Sequence, residues 1–235
     1  MTRRLEPELL DAMTPCGPDE IRSWRDLRRI NRAMFQVQIM RRLFRQYLAR
    51  PPRRIIELGG GDGNFMLRLA RALQWRDVEY ILVDRQNVVD EETANGLGER
   101  NWRLQIFAED ASEFLKRGMT ADLITANLFL HHFSEDALSD LFASASALAP
   151  VLVACEPRRN PVALAASHCV ALIGCNAVTR HDAVVSVRAG FQGRELSALW
   201  PASGGWELHE YAAPPFSHCF IAVRPSIANV HEPRV

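Results

Sequence analysis

The sequence has no long apolar run, no paired cysteine motif and no net charge, and each absence removes a class of protein. The nearest approach to a membrane span, Val162 to Val178, is interrupted by Ser167, His168 and Asn176, short of the roughly 18 to 20 apolar residues a span needs. The amino terminus carries Arg3 and Arg4 but continues into Glu6, Glu8 and Asp11 with no apolar stretch, so no secretory signal is expected. Cys16, Cys155, Cys169, Cys175 and Cys219 form no C-x-x-C pair. An odd count without that motif fits a reducing, cytoplasmic setting in which the cysteines pack as small apolar side chains. The histidines and cysteines lack ligand spacing, so no metal site is expected. There is no internal repeat or low-complexity segment. Zero formal charge argues against a general binder of polyanions. The charge is unevenly spread, however, with eleven arginines and one acid, Asp26, between Arg22 and Arg54. No oligomeric state is read from the pattern.

What is present is a glycine-rich turn. Ile55 and Ile56 run into Glu57, then Gly59, Gly60, Gly61 and Gly63 crowd together, then Phe65, Met66, Leu69, Ala70 and Leu73 recur at helical spacing. This reads as buried strand, tight loop and helix. A loop that brings its backbone against a ligand tolerates positive φ and carries no Cβ in the way, and the helix behind it aims its first N–H groups at the same space. A dinucleotide fingerprint G-x-G-x-x-G read from Gly59 needs a glycine where Asn64 stands, so that pattern fails. A second strand, Asp77 to Asp84, ends in a carboxylate about 20 residues further on, which suits the ribose hydroxyls of either a SAM or an NAD ligand.

Around this core the 235 residues suit one α/β domain with an N-terminal extension. Residues 1 to about 19, rich in Pro and Gly, are expected to be loose. From Glu20 to Ala49 the residues Ile21, Trp24, Leu27, Ile30, Met34, Val37, Met40, Phe44 and Tyr47 mark one long amphipathic helix or two in series, ended by Pro51 and Pro52. Asn101 to Phe107 is a third strand, and Asp110 is either a ligand contact or the N-cap of a helix over Ser112 to Lys116. Ala121 to Ala126 and Val151 to Ala154 are strands four and five. Ser134 caps a helix with Glu135 and Asp136 in its first turn and a Phe133–Leu138 staple. Val162 to Ile173 reads as a buried helix, and Thr179 to Asp182 as the capping start of another that runs to Gly190. Trp206 to Tyr211 and His218 to Val223 are the last strands, and the tail from Pro225 is expected to fray.

The sequence Glu57-x-Gly59-x-Gly61-x-Gly63 resembles motif I of the class I S-adenosylmethionine (SAM)-dependent methyltransferases. The stretch D-L-I-x-A-N-x-x-L-H-H-F over Asp122 to Phe133 resembles the segment after motif III in methyltransferases of the ubiquinone and menaquinone type. D-L-R-R-I-N-R ahead of motif I and R-H-D-A-V-V-S-V-R-A-G-F from Arg180 look like enzymes of phenolic-lipid polyketide pathways. The resemblance, over about Arg54 to Arg224, implies a three-layer, Rossmann-like, seven-stranded, mostly parallel sheet with a terminal antiparallel hairpin. Residues 1–50 would be a helical extension or cap, and 51–235 the methyltransferase domain. Implied cofactor contacts are Glu57, Gly59, Gly60, Gly61, Gly63, Asp84, Asp110 and Asn127, with the ligand outside strands one and four.

The implied reaction is methyl transfer from SAM to a small apolar or aromatic acceptor, at oxygen or carbon. A phenol near pKa ~10 stays protonated at pH 7 while a histidine near ~6.5 can accept a proton, which nominates His131, His132 and His181 as bases. The segment after strand four lacks the N-P-P-Y of exocyclic-amine nucleic-acid methyltransferases, so base methylation is disfavoured. Three alternatives stay open: an NAD-dependent oxidoreductase, an RNA-modifying enzyme that uses the arginine-rich helix, and a non-catalytic binding subunit. The same helix leaves peripheral contact with an acidic membrane surface open.

Overall fold

The computed structural model describes residues 1–10, 13 and 17–225; Cys16 and the tail beyond Pro225 lie outside them. Seven strands, β1 (Arg54–Leu58), β2 (Glu79–Asp84), β3 (Arg103–Ala108), β4 (Leu123–Asn127), β5 (Val151–Pro157), β6 (Glu207–Ala213) and β7 (Ser217–Val223), form one sheet in the order β3-β2-β1-β4-β5-β7-β6. β1 to β5 pair in parallel, while β7 runs antiparallel to both β5 and β6. This is the seven-stranded, mostly parallel sheet expected, and strand order reverses between β1 and β4, where such sheets open a ligand crevice.

Strand alternation sends Ile56, Leu58, Ile81, Val83 and Ile124 to one face, against α5 (Ala111–Leu115), α6 (Glu135–Leu148) and α9 (Glu195–Leu199). Ile55, Tyr80, Leu82 and Val153 face α2 (Gln36–Tyr47), α3 (Asn64–Leu73) and α4 (Glu91–Gly98). Both faces are covered, which is why the central strands read as continuous apolar runs. Ser134 accepts from the Ala137 N–H to start α6, as its sequence predicts.

The amphipathic stretch is two helices, α1 (Pro18–Ala33) and α2, broken where Phe35 adopts φ 56°. Met40, Leu43 and Phe44 are buried in the sheet's own core. Ile21 and Phe35 stay exposed, so the apolar stripe does not continue from one helix to the next.

Four expectations are corrected. Val162 to Ile173 is not a buried helix: α7 (Pro161–His168) gives way to a 3₁₀ turn, and Val162 and Leu172 are 68% and 86% exposed. The segment covers a cavity with one face and leaves the other in solvent. α8 (Ala177–Ala189) is capped by Asn176, whose side chain accepts from the Thr179 N–H at 2.8 Å, so the cap lies three residues before Thr179. β5 runs on through Glu156 because antiparallel β7 pairs with it up to Pro157↔Ser217. Residues 1–10 contain no strand but are pinned. Arg3 donates to the carbonyls of Ala189 and Phe133, the Arg4 N–H to the Arg188 carbonyl, and the Leu9 and Leu10 N–H groups to Asp182.

Candidate functional site

The glycine turn closes as a chain of backbone donors over the end of β1. Gly59 and Gly61 adopt φ +70° and +53°, conformations that an L side chain rarely enters. A Cβ on Gly59 would lie 2.1 Å from the Phe129 ring, and one on Gly61 would lie 2.8 Å from Trp24. Close approach by these two aromatic rings is therefore part of what the glycines permit. Asp84, at the end of β2, accepts from the Gly61 N–H at 2.9 Å and the Gln86 N–H at 3.0 Å, which holds the turn against β2. Arg28 of α1 pairs with Asp62 at 2.7 Å, so the N-terminal helix is fastened to the loop as well as laid over it.

A cavity of about 760 Å³ opens above this turn. Gly59, Gly60, Gly61, Asp84, Asp110 and Asn127 form one part of its wall. Trp24, Leu27, Met34, Phe133, Val170 and Ile173 form a greasier part, from α1, the turn after β4 and the turn after α7. The Asn127 Oδ1 atom is buried and has no hydrogen-bond partner among the described residues. A buried acceptor of this kind is costly unless a ligand satisfies it. Asp110 lines the cavity while its Oδ1 caps α5 by accepting from the Ser112 N–H at 2.8 Å, so the cap and the wall position coincide.

Glu57 is buried and bonded to the Tyr80 hydroxyl. Burial, opposed by the Tyr80 bond and reinforced by Asp62 and Asp84, pushes its carboxyl up to about 8. Gly63 is absent from the cavity wall. With φ +68° it starts α3, and a Cβ there would press Thr93 and Leu82 at 3.2 and 3.3 Å. His181 also lies off the wall, its side chain 45% exposed with Nδ1 3.0 Å from Asp182. The structure therefore removes it from the acceptor's reach.

His131 is the centre of a buried network. Glu156, fully buried in β5, accepts from the Phe129, Leu130 and His131 N–H groups at 3.1, 2.9 and 3.3 Å, and from His131 Nδ1 at 2.9 Å. Nε2 of the same ring faces Glu8 at 3.3 Å, and Glu8 also takes the Ser186 hydroxyl. Burial opposes the charged imidazole, but the hydrogen bonds that its N–H groups donate to Glu156 and Glu8, together with the charges of those carboxylates, outweigh it and raise His131 to about 9. Burial likewise opposes the Glu8 charge, and the bond and charge of His131 outweigh it, leaving Glu8 at about 2. At pH 7 His131 is thus an imidazolium clamped by two carboxylates. It has no lone pair with which to accept an acceptor's proton, which corrects its nomination as a base. His132 lines the cavity beside it, ring centroids 4.3 Å apart.

Sequence reading missed Glu156 and Glu8. The signal for Glu156 was an acidic residue two positions beyond the apolar strand Val151 to Ala154, and for Glu8 there was none.

A family model described as a methyltransferase domain matches residues 25–178. The chain belongs to the methyltransferase-domain family. The methyltransferase fold recurs in solved structures. A proposed O-methyltransferase from Nostoc punctiforme is 14% identical, with a TM-score of 0.61 over 94% of this chain and 64% of that one. An O-methyltransferase family protein from Burkholderia thailandensis is 15% identical, TM-score 0.60, over 90% and 61%. The plantazolicin methyltransferase BamL, solved with S-adenosylhomocysteine (SAH) and a desmethyl substrate analogue, is 14% identical, TM-score 0.65, over 89% and 92%. The chain thus spans less than two thirds of the first two proteins' length. No curated protein matches it in sequence. Among the described residues no helix is long and apolar enough to cross a membrane.

Proposed function

We propose that this methyltransferase moves the methyl group of SAM onto a small apolar or aromatic acceptor, a phenol or quinol, at oxygen or carbon. One observation carries the reading: the glycine turn, Asp84 and the unpartnered Asn127 oxygen share a single cavity with the apolar chamber under α1 and α7. The residues fit the donor. Each Asp84 oxygen accepts one backbone N–H and keeps a lone pair for a ribose hydroxyl, Asn127 Oδ1 is the acceptor for an N–H-bearing group of the ligand, and Asp110, on the same wall, is assigned to adenine. Among neighbours by fold, BamL is crystallised with SAH, the demethylated product, and a pyocyanin biosynthetic protein shares the fold at TM-score 0.57. The histidine-bearing segment after β4 and the sequences before motif I and after Arg180 support the phenolic-lipid branch of this reading. A cytoplasmic setting belongs to it too.

When bound, SAM supplies an activated methyl group on a sulfonium, so the protein's work is alignment and exclusion of water. Trp24 and Phe129, packed on Gly61 and Gly59, close the space between donor loop and acceptor chamber. The Arg28–Asp62 pair keeps α1 in that position. His132 stands on the same wall, its ring beside that of His131.

The arginine face of α2 is a separate surface: Arg41, Arg42 and Arg45 line a shallow hollow that shares no residue with the cavity. That separation favours a small acceptor over RNA. The test is calorimetry with SAM, SAH and NADH, followed by labelled-methyl transfer to phenols, quinols and RNA. Micromolar binding of SAM and SAH with label on a phenol or quinol is expected. Label on RNA alone, or tight NADH binding, refutes the reading.

A further inference from the structure

Two adjacent histidines and a carboxylate more than 120 residues away in the chain converge on the cavity wall. The Glu8 carboxylate and the rings of His131 and His132 each offer one ligand atom, all within 4.8 Å of one another. His131 Nε2 and Glu8 Oε1 are 3.3 Å apart, a loose hydrogen bond. Ligand atoms about 2.0 to 2.1 Å from a tetrahedral ion sit roughly 3.3 Å from each other, so the same spacing suits two ligands on one metal. The other ring nitrogen of His131 already meets Glu156 at 2.9 Å. A carboxylate in that position fixes the tautomer and aim of a metal-bound imidazole.

The carboxylate is held ready. Leu9 and Leu10, directly after Glu8, are tied by their N–H groups to Asp182 at 2.8 and 3.0 Å, and the Ser186 hydroxyl bonds the Glu8 carboxylate itself. Glu156 and Glu8 thus place carboxylate oxygens at the two ring nitrogens of one buried imidazole, at 2.9 and 3.3 Å.

We propose that Glu8, His131 and His132 form a site for a borderline divalent transition-metal ion, Zn²⁺ in particular, with a further coordination position open to the cavity. Two imidazoles and a carboxylate suit this class over Mg²⁺ or Ca²⁺, which prefer oxygen alone. The proton shared between His131 Nε2 and Glu8 Oε1 leaves to solvent as the ion takes its place. Facing the acceptor chamber, the ion would take an acceptor hydroxyl as its remaining ligand and make it easier to deprotonate. That role rests on the methyl-transfer reading above; the site does not.

The test uses full-length, tag-free protein stripped with a chelator. Zn²⁺ is titrated by calorimetry in two buffers of different ionisation enthalpy, and Co²⁺ by visible absorption. One equivalent bound at micromolar affinity or tighter, with about one proton released and the d–d bands of a four-coordinate site, is expected. Glu8→Gln and His132→Ala should each weaken Zn²⁺ at least tenfold while SAM binding stays unchanged, which separates ligand loss from misfolding. Absence of stoichiometric binding, or unchanged affinity in both variants, overturns the site. If Zn²⁺ binds but chelation leaves phenol methylation at full rate, the ion's assigned role falls. If Zn²⁺ binds and no phenol or quinol is methylated at all, the acceptor reading falls and the site stands.

Discussion

Replacing Glu156 with alanine tests the network that shapes the cavity floor. The carboxylate is fully buried and accepts four hydrogen bonds, three from the successive N–H groups of Phe129, Leu130 and His131 and one from the His131 ring. Removing it strands three backbone donors and leaves a buried imidazolium with only Glu8 opposite. Breaking a buried ion pair on one side costs about 3 to 5 kcal/mol, a large share of the roughly 5 to 15 kcal/mol that a domain has. For a chain of this size each kcal/mol moves Tm by about 2 to 4 °C, so the variant should melt roughly 6 to 20 °C below the parent. Glu156→Gln, which keeps the volume but offers one acceptor atom in place of two, should fall between them. Differential scanning calorimetry at pH 7 measures both. A Glu156→Ala protein that melts within about 2 °C of the parent refutes the claim that this carboxylate organises the turn.

Gly59→Val should reduce SAM affinity more than a hundredfold while costing only a few degrees of Tm, because the left-handed backbone costs about 1 to 2 kcal/mol and the new side chain displaces Phe129 into the cavity; calorimetry on the folded variant decides. His131 titrates near 9 when folded against about 6.5 unfolded. Its contribution is therefore fully present below the lower value and lost as pH rises to the higher one, so the Tm gap between parent and His131→Gln should shrink from pH 6.5 to 9. A gap that widens over that range contradicts the clamp. Glu57 has the opposite consequence: a carboxyl raised to about 8 by burial penalises the folded state as pH climbs from the ordinary carboxylate range through 8. Glu57→Gln should then gain stability relative to the parent above pH 8, as thermal melts across a pH series would show.

The sequence by itself determined the frame. Local spacing encodes a strand as a run of Ile, Leu and Val, a tight turn as Gly59 to Gly63, and a helix start as Ser134 or Asp110, because these depend on neighbours within a few residues. The order of those signals, read with the motif, was enough for the sheet and its switch point. What only the tertiary structure decided concerns contacts between distant residues. The extent of β5 through Glu156 depends on β7, which pairs with it from more than 60 residues away. The break at Phe35 and the half-exposed helix α7 depend on which surface each segment happens to cover. The fate of His131 depends on Glu156, 25 residues on, and Glu8, 123 residues back. Protonation is set by burial and by the charges within a few ångströms, and no spacing along the chain records which carboxylates those will be.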